Sequence, residues 1–579
     1  MHRPDPIRLK AAFKQYCHDQ DKIMTPEETV ERFKRRLALN NLDILEDITR
    51  IDNGRLGIPV YFSICGPEAR AVIGNYKQMG KGATPAQAQA SAVMELGERF
   101  SLFCYLRDRK NYLHGPQAEL KEPSLDFEYI AQSVGDTSGD LEVLSELFAQ
   151  LPLNWCWADN LTSGETTMLP FNWFWTINQF NGSCAGNCIE EALCQGICEV
   201  VERHVCCLIS RDQIKTPRIR VESIHDPVAK ELIGRFKTVG VELCLSDFTL
   251  AMGIPSVGAL AWDPGTFPSS SEIVWTAGTT PSATKALCRA LTEVAQLAGD
   301  FNSGGNYVAS GLPKFQRLEA ARYVTDPGRT AALQDLPELG DKNIKIEVQN
   351  CIDALAQRNM DLFVVDIRHA VLDIPAFYTI IPGAQFRERA AHSSVGMIMA
   401  KIVTESNPAQ EALKKLQDMD ARLPGKYYLQ FYIGQVHLNQ GDYQTAIDFL
   451  NKALRLEPPT EDMAAVYTYL GLCHKELEQY STALEALEKG HAIDIQRTDT
   501  LNLLGYCHFK MQAHDQAIDC FRKLIAIDPS SAIDYANIAA NYRAMGEDAK
   551  AVEYYHLALS LDSEIEFARE HLAQLVAKQ

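Results

Sequence analysis

No stretch of this chain of 579 residues approaches the roughly 20 consecutive apolar residues that a membrane-spanning helix needs. The first residues, MHRPDPIRLKAAFKQYC, contain no apolar core of the length found in a secretory signal. We therefore expect neither a membrane nor a secreted protein, and predict a cytoplasmic location. The 16 cysteines are spread along a long chain, which favours reduced thiols over a disulfide framework.

The chain also lacks an excess of positive charge. Its 75 acidic residues outnumber its 56 basic ones, which gives a formal net charge of −19. Nucleic acids and anionic membranes attract basic surfaces, so neither is expected as a partner. No GxxxxGK[ST] motif occurs, which excludes a Walker-type phosphate loop, and the CxxC…CxxC spacing of a strong zinc site is also missing.

The length predicts about two to four domains. Helical and strand-like patterns are mixed up to about residue 400, which predicts an α/β domain over residues 1–404. A linker helix is predicted at 405–423 and an all-helical domain at 424–579.

The last region contains internal repeats. Small residues at Gly434, Gly471, Gly505 and Ala539 lie 37, 34 and 34 positions apart. This period resembles that of the tetratricopeptide repeat, and about four repeats would form a solenoid that binds peptides or partner proteins. A purely structural or dimerising role is the alternative.

Several local patterns predict individual elements. Residues 1 to about 55 are expected to be rich in helix, with Thr25 capping a helix that begins at Pro26. Further helices are predicted at 85–102, from the loop at Gly186-Asn187 to Arg203, and at 282–298, and strands at 58–64, 361–365 and 376–381.

Three of the predicted helices carry polar side chains on one face. Steps of three and four residues place such side chains on the same side of a helix with 3.6 residues per turn. The three sets are Ser91, Glu95 and Glu98; Glu191, Gln195, Glu199 and Glu202; and Arg289, Glu293 and Gln296. For any one helix a solvated face is the commoner explanation. If the three faces meet, the carboxylates require cations, and Mg²⁺ with a nucleotide is the expected ligand.

Three segments resemble, in the same order, the nucleotide-binding motifs of the YcaO family. They are GKGATPAQAQASAVMELGERF (80–100), AGNCIEEALCQGICEVVERH (185–204) and ATKALCRALTEVAQ (283–296). PEETVERF (26–33) and LGIPVYFSI (56–64) extend the likeness, which covers residues from about 20 to 400. The resemblance implies an enzyme that uses ATP and Mg²⁺ to phosphorylate the oxygen of a peptide backbone amide. A side chain, sulfide or an amine then displaces the phosphate.

The resemblance also assigns roles to individual positions, but it assigns no catalytic side chain. The expected magnesium ligands are Glu95, Glu98, Glu199 and Glu202. The expected nucleotide-binding residues are Lys22, Lys81, Ser91, Arg99, Asn187, Glu191, Gln195, Arg203, Arg289, Glu293 and Gln296.

The sequence departs from the family in two respects. Many azoline-forming members end in a proline-rich tail, whereas this chain ends in HLAQLVAKQ after its repeats, which argues against azoline formation. Cys184 and Cys188 stand where small or hydroxyl residues are usual, and Cys194 and Cys198 form a second CxxxC pair. We interpret these thiols as core residues, with a soft metal or a persulfide as the alternative.

The leading hypothesis is thioamidation of a peptide or protein substrate, with the repeats docking the substrate or a sulfur-donating partner. One alternative is an accessory factor for methylthiolation of a small-subunit ribosomal protein, with a methylthiotransferase as partner. Another is a nucleotide-binding scaffold. A homodimer is expected.

We interpret Ser303-Gly304-Gly305 as a simple turn, the cluster Asp366, Arg368 and His369 as structural, and Trp173 and Trp175 as core residues.

Overall fold

The structure is a computed structural model that describes residues 3–52, 54–298, 301, 312–387, 393–528 and 531–577. The predicted turn at Ser303-Gly304-Gly305 lies outside these residues. The chain divides into two units. The first contains described residues up to 137 and from 148 to 387, and the second contains 138–147 and the residues from 393 onward. The predicted domain end at 404 lies beyond the end of the first unit.

The described strands of the first unit form three sheets. The first sheet is antiparallel and has the order β1 (Leu45–Arg50), β2 (Val60–Cys65) and β3 (Lys77–Lys81). The second has the order β11 (Val274–Thr279), β10 (Ser256–Trp262), β9 (Glu242–Asp247), β8 (Arg218–Ile219) and β12 (Thr330–Ala331). The third has the order β4 (Leu113–Gly115), β5 (Leu153–Asn160), β13 (Phe363–Asp366), β14 (Ala376–Ile380) and β7 (Ser183–Ala185), with β6 (Thr166–Pro170) also paired to β5.

Helices accompany these sheets, so the predicted mixture of sheets and helices is confirmed. They are α1 (Pro26–Asn40), α2 (Pro67–Ile73), α3 (Pro85–Arg107), α4 (Phe127–Val134), α6 (Phe171–Asn178), α7 (Ile189–Arg211), α8 (Pro227–Thr238), α9 (Ala283–Ala298), α10 (Arg322–Thr325) and α11 (Ile344–Ala356). Helix α5 (Leu141–Gln150) begins among residues of the second unit. In the described part of the chain, no helix is both long and apolar enough to cross a membrane.

The N-terminal segment, residues 3–24, corrects one expectation. It contains no helix, so the prediction of a helix-rich start is wrong there. Side chains of the domain bind its backbone amides instead: Ile7 donates to Asp159 at 2.7 Å and Lys10 donates to Glu190 at 2.6 Å. Sequence periodicity cannot reveal such anchors, because they come from distant residues. The next helix follows the prediction, since Thr25 caps α1.

Three strand–loop–helix copies form the centre of the first unit: β3 leads into α3, β7 into α7 and β11 into α9. Gly80, Cys184 and Gly278 occupy equivalent strand positions in these copies. Polar residues follow each of them after 11, 15 and 18 positions: Ser91, Glu95 and Glu98; Gln195, Glu199 and Glu202; Arg289, Glu293 and Gln296.

The position directly before each of these helices accounts for one unusual cysteine, Cys188. Thr84 precedes α3, and its hydroxyl accepts the backbone N–H of Gln87 at 3.2 Å. Cys188 holds the same position before α7, and its Sγ accepts the N–H of Glu191 at 3.4 Å. Cys188 therefore caps a helix, a role that Ser or Thr usually fills.

Strand and helix approach closely in the outer two copies because the strand residue is glycine. A Cβ at Gly80 would lie 2.1 Å from the backbone N of Ala92, and one at Gly278 would lie 2.6 Å from the N of Ala290. In the middle copy the small residue is on the helix: a Cβ at Gly196 would lie 2.7 Å from Sγ of Cys184. Cys184 fills the space that Gly196 leaves, as expected of a core thiol.

The second unit consists of helices among its described residues. Helices α12 (Val395–Ser406) and α13 (Ala409–Arg422) come first, and α13 lies within the predicted linker. Four pairs and a final helix follow: α14 (Tyr427–Asn439) with α15 (Tyr443–Arg455), α16 (Thr460–Glu476) with α17 (Tyr480–Ile493), α18 (Thr498–Lys510) with α19 (His514–Ile527), α20 (Ala532–Ala544) with α21 (Asp548–Leu561), and α22 (Glu566–Val576).

The small residues that defined the repeats pack against the second helix of each pair. A Cβ added to Gly434 would lie 3.1 Å from Leu450. One added to Gly471 would lie 2.4 Å from Leu487, and one added to Gly505 would lie 2.7 Å from Phe521. Ala539 and Tyr555 share a buried cluster in the fourth pair. These contacts confirm the predicted repeat architecture.

Replacing Gly278 with alanine tests the close contact between strand and helix. The new Cβ would lie 2.3 Å from the carbonyl oxygen of Ala286, so Gly278→Ala is expected to destabilise the first unit by about 1–3 kcal/mol. Gly115→Ala on β4 is the control, because no atom lies within 4 Å of its Cβ. Tryptophan fluorescence during urea unfolding reports on this unit, since all 6 tryptophans lie between residues 155 and 275. Equal midpoints for the two variants would contradict this account.

Candidate functional site

One cavity of about 440 Å³ collects every site residue predicted from the sequence. This volume lies within the roughly 300–1,000 Å³ typical of sites for small molecules and cofactors. The predicted residues that line it are Lys22, Lys81, Ser91, Glu95, Glu98, Arg99, Asn187, Glu191, Gln195, Glu199, Glu202, Arg203, Arg289, Glu293 and Gln296. The structure therefore brings them together, whereas the role of each remains a prediction.

The carboxylates of the cavity are largely withdrawn from water. Glu98 is 7% exposed and Glu202 is 5% exposed. Burial, together with the negative charge of Glu95, raises the pKa of Glu98 well above its usual range. Burial also raises the pKa of Glu199, although the nearby charge of Arg203 opposes this shift. Such carboxylates are stabilised by any cation that enters the cavity.

Arg99 on α3 carries part of the positive charge that compensates the carboxylates of the cavity. One of its Nη atoms lies 2.9 Å from Oε1 of Glu95, and the other donates to the hydroxyl of Ser183 at 3.2 Å. The same hydroxyl donates to Glu98 at 2.6 Å. Burial would lower the pKa of Arg99, but the carboxylates of Glu95, Glu98 and Glu199 outweigh it and raise this pKa. Sequence reasoning missed Ser183, because it lies on a strand with no polar periodicity.

Arg289 joins the middle and third copies. Its guanidinium donates from Nη1 to Oε1 of Gln195 at 3.0 Å and from Nε to Oε2 of Glu202 at 3.3 Å. The backbone N–H of Thr279 donates to the same oxygen of Glu202 at 3.0 Å. Arg289 and Glu202 are therefore held in fixed positions on the cavity wall.

Lys81 lies at the end of β3 and forms an ion pair with Glu293 of α9. Burial, reinforced by the positive charges of Arg289 and Arg203, lowers the pKa of Lys81 to about 7. An anion in the cavity would counter these effects and favour the protonated form.

Glu191 lines the cavity but also binds protein groups. It accepts the backbone N–H of Asn187 at 3.0 Å and that of Ile23 at 2.5 Å. Arg32 in turn donates to the carbonyl oxygen of Asn187 at 3.0 Å. These contacts tie the middle loop to the N-terminal segment, which places Lys22 at the cavity.

Several lining residues were not predicted. Gln87 lies one turn before Ser91 on α3, so extending the four-residue spacing backwards could have found it. The apolar members carry no comparable signal, because they lack the polar spacing, and most of them lie outside the three helices: Met24, Pro26, Phe62, Met79 and, on α3, Met94.

The cavity has no ready-made metal cage. Among the described residues, no three side chains of His, Cys, Asp or Glu lie close enough together to hold one ion. Mg²⁺ is usually bound by one or two carboxylates, with phosphate oxygens and water completing its octahedron. Buried carboxylates beside Lys81, Arg203 and Arg289 therefore fit a magnesium ion that enters together with a nucleotide.

The cluster Asp366, Arg368 and His369 lies at a different cavity. Arg368 pairs with Asp366 at 3.0 Å, and Nδ1 of His369 accepts the N–H of Leu372 at 3.2 Å. Burial lowers the pKa of His369. Of the two aromatic residues on α6 that were predicted to lie in the core, Trp173 is buried, whereas Trp175 is only partly buried.

Two curated relatives resemble this chain over somewhat less than two thirds of its length. An uncharacterized protein of Methanothermobacter thermautotrophicus is 27% identical over 383 residues, which cover 62% of this chain and 94% of that protein. An uncharacterized protein in the tfuA 3′ region of Rhizobium leguminosarum bv. trifolii is 25% identical over 413 residues, 65% of this chain and 91% of that protein.

A solved structure described as a heterocyclase in complex with substrate and cofactor shares the fold. Its TM-score is 0.54 at 22% identity, over 66% of this chain and 55% of the heterocyclase. The likeness thus spans about half of that longer chain.

Family models match both parts of the chain. Tetratricopeptide-repeat models match residues 427–496 and 498–531. The model described as YcaO cyclodehydratase, ATP- and Mg²⁺-binding, matches residues 79–385, which is more than half of the chain. The chain therefore belongs to the YcaO family, whose cofactors are ATP and Mg²⁺, and carries tetratricopeptide repeats after its YcaO domain.

Proposed function

We propose that this protein uses Mg-ATP to phosphorylate the oxygen of a backbone amide in a peptide or protein, and that sulfide then replaces the phosphate to give a thioamide. The observation that carries the proposal is the convergence of three charged helix faces on one cavity. Family membership supports the use of ATP and Mg²⁺.

The acidic residues are the proposed magnesium ligands. Glu95, Glu98, Glu199 and Glu202 line the cavity, and burial raises the pKa of both Glu98 and Glu199. Bound Mg²⁺ would neutralise charge on the phosphates during transfer of the terminal group.

The basic residues are the proposed phosphate ligands. Arg289 is already oriented by Gln195 and Glu202, so little reorganisation is needed when charge develops on the transferred group. Lys81 and Arg203 add positive charge from other sides of the cavity.

The attacking group is proposed to come from outside the cavity wall. Within the described lining there is no cysteine, and in this proposal the sulfur enters the cavity as sulfide. The repeats are the proposed docking site for the peptide substrate or for a sulfur-donating partner, because such solenoids present extended binding surfaces.

Replacing Glu199 with glutamine tests the magnesium assignment. Glu199→Gln is expected to weaken Mg-ATP binding at least about tenfold, or ~1.4 kcal/mol, because it removes a charge that would face the ion. In EDTA the same variant should bind ATP at least as well as the wild type, since one repulsive charge is gone. Isothermal titration calorimetry measures both affinities.

Glu190→Gln is the matched control for this experiment. Glu190 also lies on α7 and is buried, but its carboxylate binds the backbone of Lys10 and does not line the cavity. Its Mg-ATP affinity should stay within twofold of the wild type. An equal loss in both variants, or a loss at Glu199 that persists in EDTA, would contradict the assignment.

Lys81 makes nucleotide binding dependent on pH. The pKa of Lys81 is about 7 in the free protein, so the amine is already protonated below this pH. Above pH 7 the amine is mostly neutral, and it must take up a proton when phosphate binds. The Kd for Mg-ATP is therefore expected to rise with pH above 7, by up to about tenfold per unit until the pKa of the bound state is reached. Lys81→Arg should abolish this slope, and an unchanged slope in that variant would contradict the role.

Mass spectrometry of the product tests the proposed reaction. Incubation of the full-length protein with Mg-ATP, sulfide and candidate peptides should add about 16 Da to the true substrate, as sulfur replaces oxygen. Glu199→Gln should abolish the product. If no target is modified and the protein instead copurifies with a methylthiotransferase, the accessory role replaces this proposal.

A further inference from the structure

A second cavity in the first unit, of about 650 Å³, is separate from the nucleotide cavity. The two cavities share no lining residue, so the proposed magnesium and phosphate ligands leave the second one unused. Its walls come from the N-terminal segment, the end of α3, strands β5, β6 and β13 and the loop after β13. Its volume is typical of a ligand-binding site.

This cavity lies where the third sheet divides. Strand β5 pairs with β4 at Trp155 and with β13 at Asp159, in both cases on the edge opposite β6. Between these points, residues 156–158 pair with no strand on this edge in the described part of the chain. Strand β13 pairs with β5 only up to Val364, so residues 365–366 no longer do so. The gap between residues 156–158 and residues 365–366 is called the sheet slot below.

Backbone groups of both strands face the sheet slot. Directly after β5, the N–H of Leu161 donates at 2.8 Å to the residue before β13, and backbone groups alternate between the two edges along a strand. The N–H and C=O of Trp157, four residues earlier, therefore face the slot. The N–H of Ile367 donates to β14 at 3.1 Å, so the backbone groups of Asp366 face the slot from the other side. Such groups require hydrogen-bond partners, and an open strand edge can accept another strand.

Two side chains at this cavity also lack a hydrogen-bond acceptor. Trp157 is 6% exposed, and its indole Nε1–H has no partner among the described residues. The same is true of the buried Nε–H of Arg368. An unpaired buried donor costs about 1–3 kcal/mol. Both residues line the cavity, so a ligand that carries carbonyl oxygens would supply what they lack.

The charges of the lining favour an uncharged ligand. Acidic side chains outnumber basic ones there: Asp5, Asp108, Asp159 and Asp366 against Lys110 and Arg368. A free anion would be opposed by this balance. The main chain of a peptide offers carbonyl oxygens and N–H groups without adding charge.

Part of the protein already binds at this cavity through its main chain. Residues 4–7 contain no helix, and the backbone N–H of Ile7 donates to the carboxylate of Asp159 at 2.7 Å. The guanidinium of Arg3 lies 5.6 Å from the centre of the Trp157 ring. The wall of the cavity is therefore suited to an extended segment.

Helix α3 links the two cavities. Glu98 lines the nucleotide cavity and Ser101 lines the second cavity. Residues three positions apart lie on the same side of a helix and are separated by about 4.5 Å along its axis. An extended chain covers about 3.3 Å per residue. A peptide held in the sheet slot therefore needs only a few more residues to reach the nucleotide cavity.

We propose that the sheet slot binds the main chain of the substrate peptide as an added strand, to one side of the amide that is modified. The inference rests on the proposed function, for which it identifies the site that holds the peptide. Recognition through the main chain places few demands on the sequence of the flanking residues.

Fluorine NMR tests the sheet slot without ATP and without the reaction. Full-length protein is labelled with 5-fluorotryptophan, and the signal of Trp157 is assigned with Trp157→Phe. Trp262 and Trp275 belong to the second sheet and serve as references. The probe is the uncharged pentapeptide acetyl-TVTVT-amide, which is expected to shift the Trp157 signal in a saturable manner.

A methylated probe tests whether the main chain is recognised. The same peptide with N-methyl groups on alternate amides cannot donate along one edge, so it should bind at least about tenfold more weakly. Equal binding of the two peptides, or no shift of Trp157 with either, would overturn the proposal. A shift of the same size with sodium acetate would make the cavity an anion site and would also overturn it.

Ala370→Trp tests the location of the peptide. Ala370 is exposed and lines the cavity, so a large side chain there should weaken binding of the pentapeptide at least about tenfold. Ala118→Trp is the matched control, because Ala118 is an exposed alanine of the first unit that does not line the cavity. Both variants should retain Mg-ATP affinity within about twofold, which establishes that they are folded. Equal peptide binding by the two variants would contradict the location.

The two proposals fail separately. If the pentapeptide binds as expected but no candidate peptide gains sulfur, the proposed reaction is wrong and the sheet slot stands as a peptide site. If the wild type and Ala370→Trp convert a peptide to thioamide with the same KM, the reaction stands and the sheet slot is wrong as the substrate site.

Discussion

Carboxylates held together in one cavity are the constraint on which the rest of the site depends. Burial and mutual repulsion raise the pKa of Glu98, and burial does the same at Glu199, so the ionised forms need nearby positive charge. Arg99, Arg289 and Lys81 supply part of it through ion pairs with carboxylates of the cavity. This arrangement leaves the cavity receptive to a metal ion with a bound polyanion, which agrees with the ATP and Mg²⁺ of the YcaO family.

Three copies of one strand–turn–helix arrangement place these charged residues at corresponding positions. In each copy a short strand leads through a turn into a long helix, and a small residue at the crossing lets the two approach. The polar residues then fall at the same distances along each helix. The middle copy moves the small residue from the strand to Gly196, and Cys184 fills the vacated space. The backbone arrangement is therefore preserved although the residue types are exchanged.

The charged cavity and the repeats come from separate parts of the sequence. The cavity is lined by residues that precede position 300, whereas the repeats begin after position 420. Solenoids of such helix pairs present extended binding surfaces, which supports their proposed use in docking a peptide or a protein.

The sequence by itself determined the three helices of the site, the repeats and the polar helix faces that line the cavity, because periodic patterns are encoded in neighbouring residues. Steps of three and four at Glu95, Glu199 and Glu293 placed their side chains on the correct faces. Only the tertiary structure decided that residues 3–24 form no helix and that Ser183 bridges Arg99 and Glu98. These outcomes depend on contacts between residues that are about 80 to 180 positions apart, and such contacts leave no periodic trace in the local sequence.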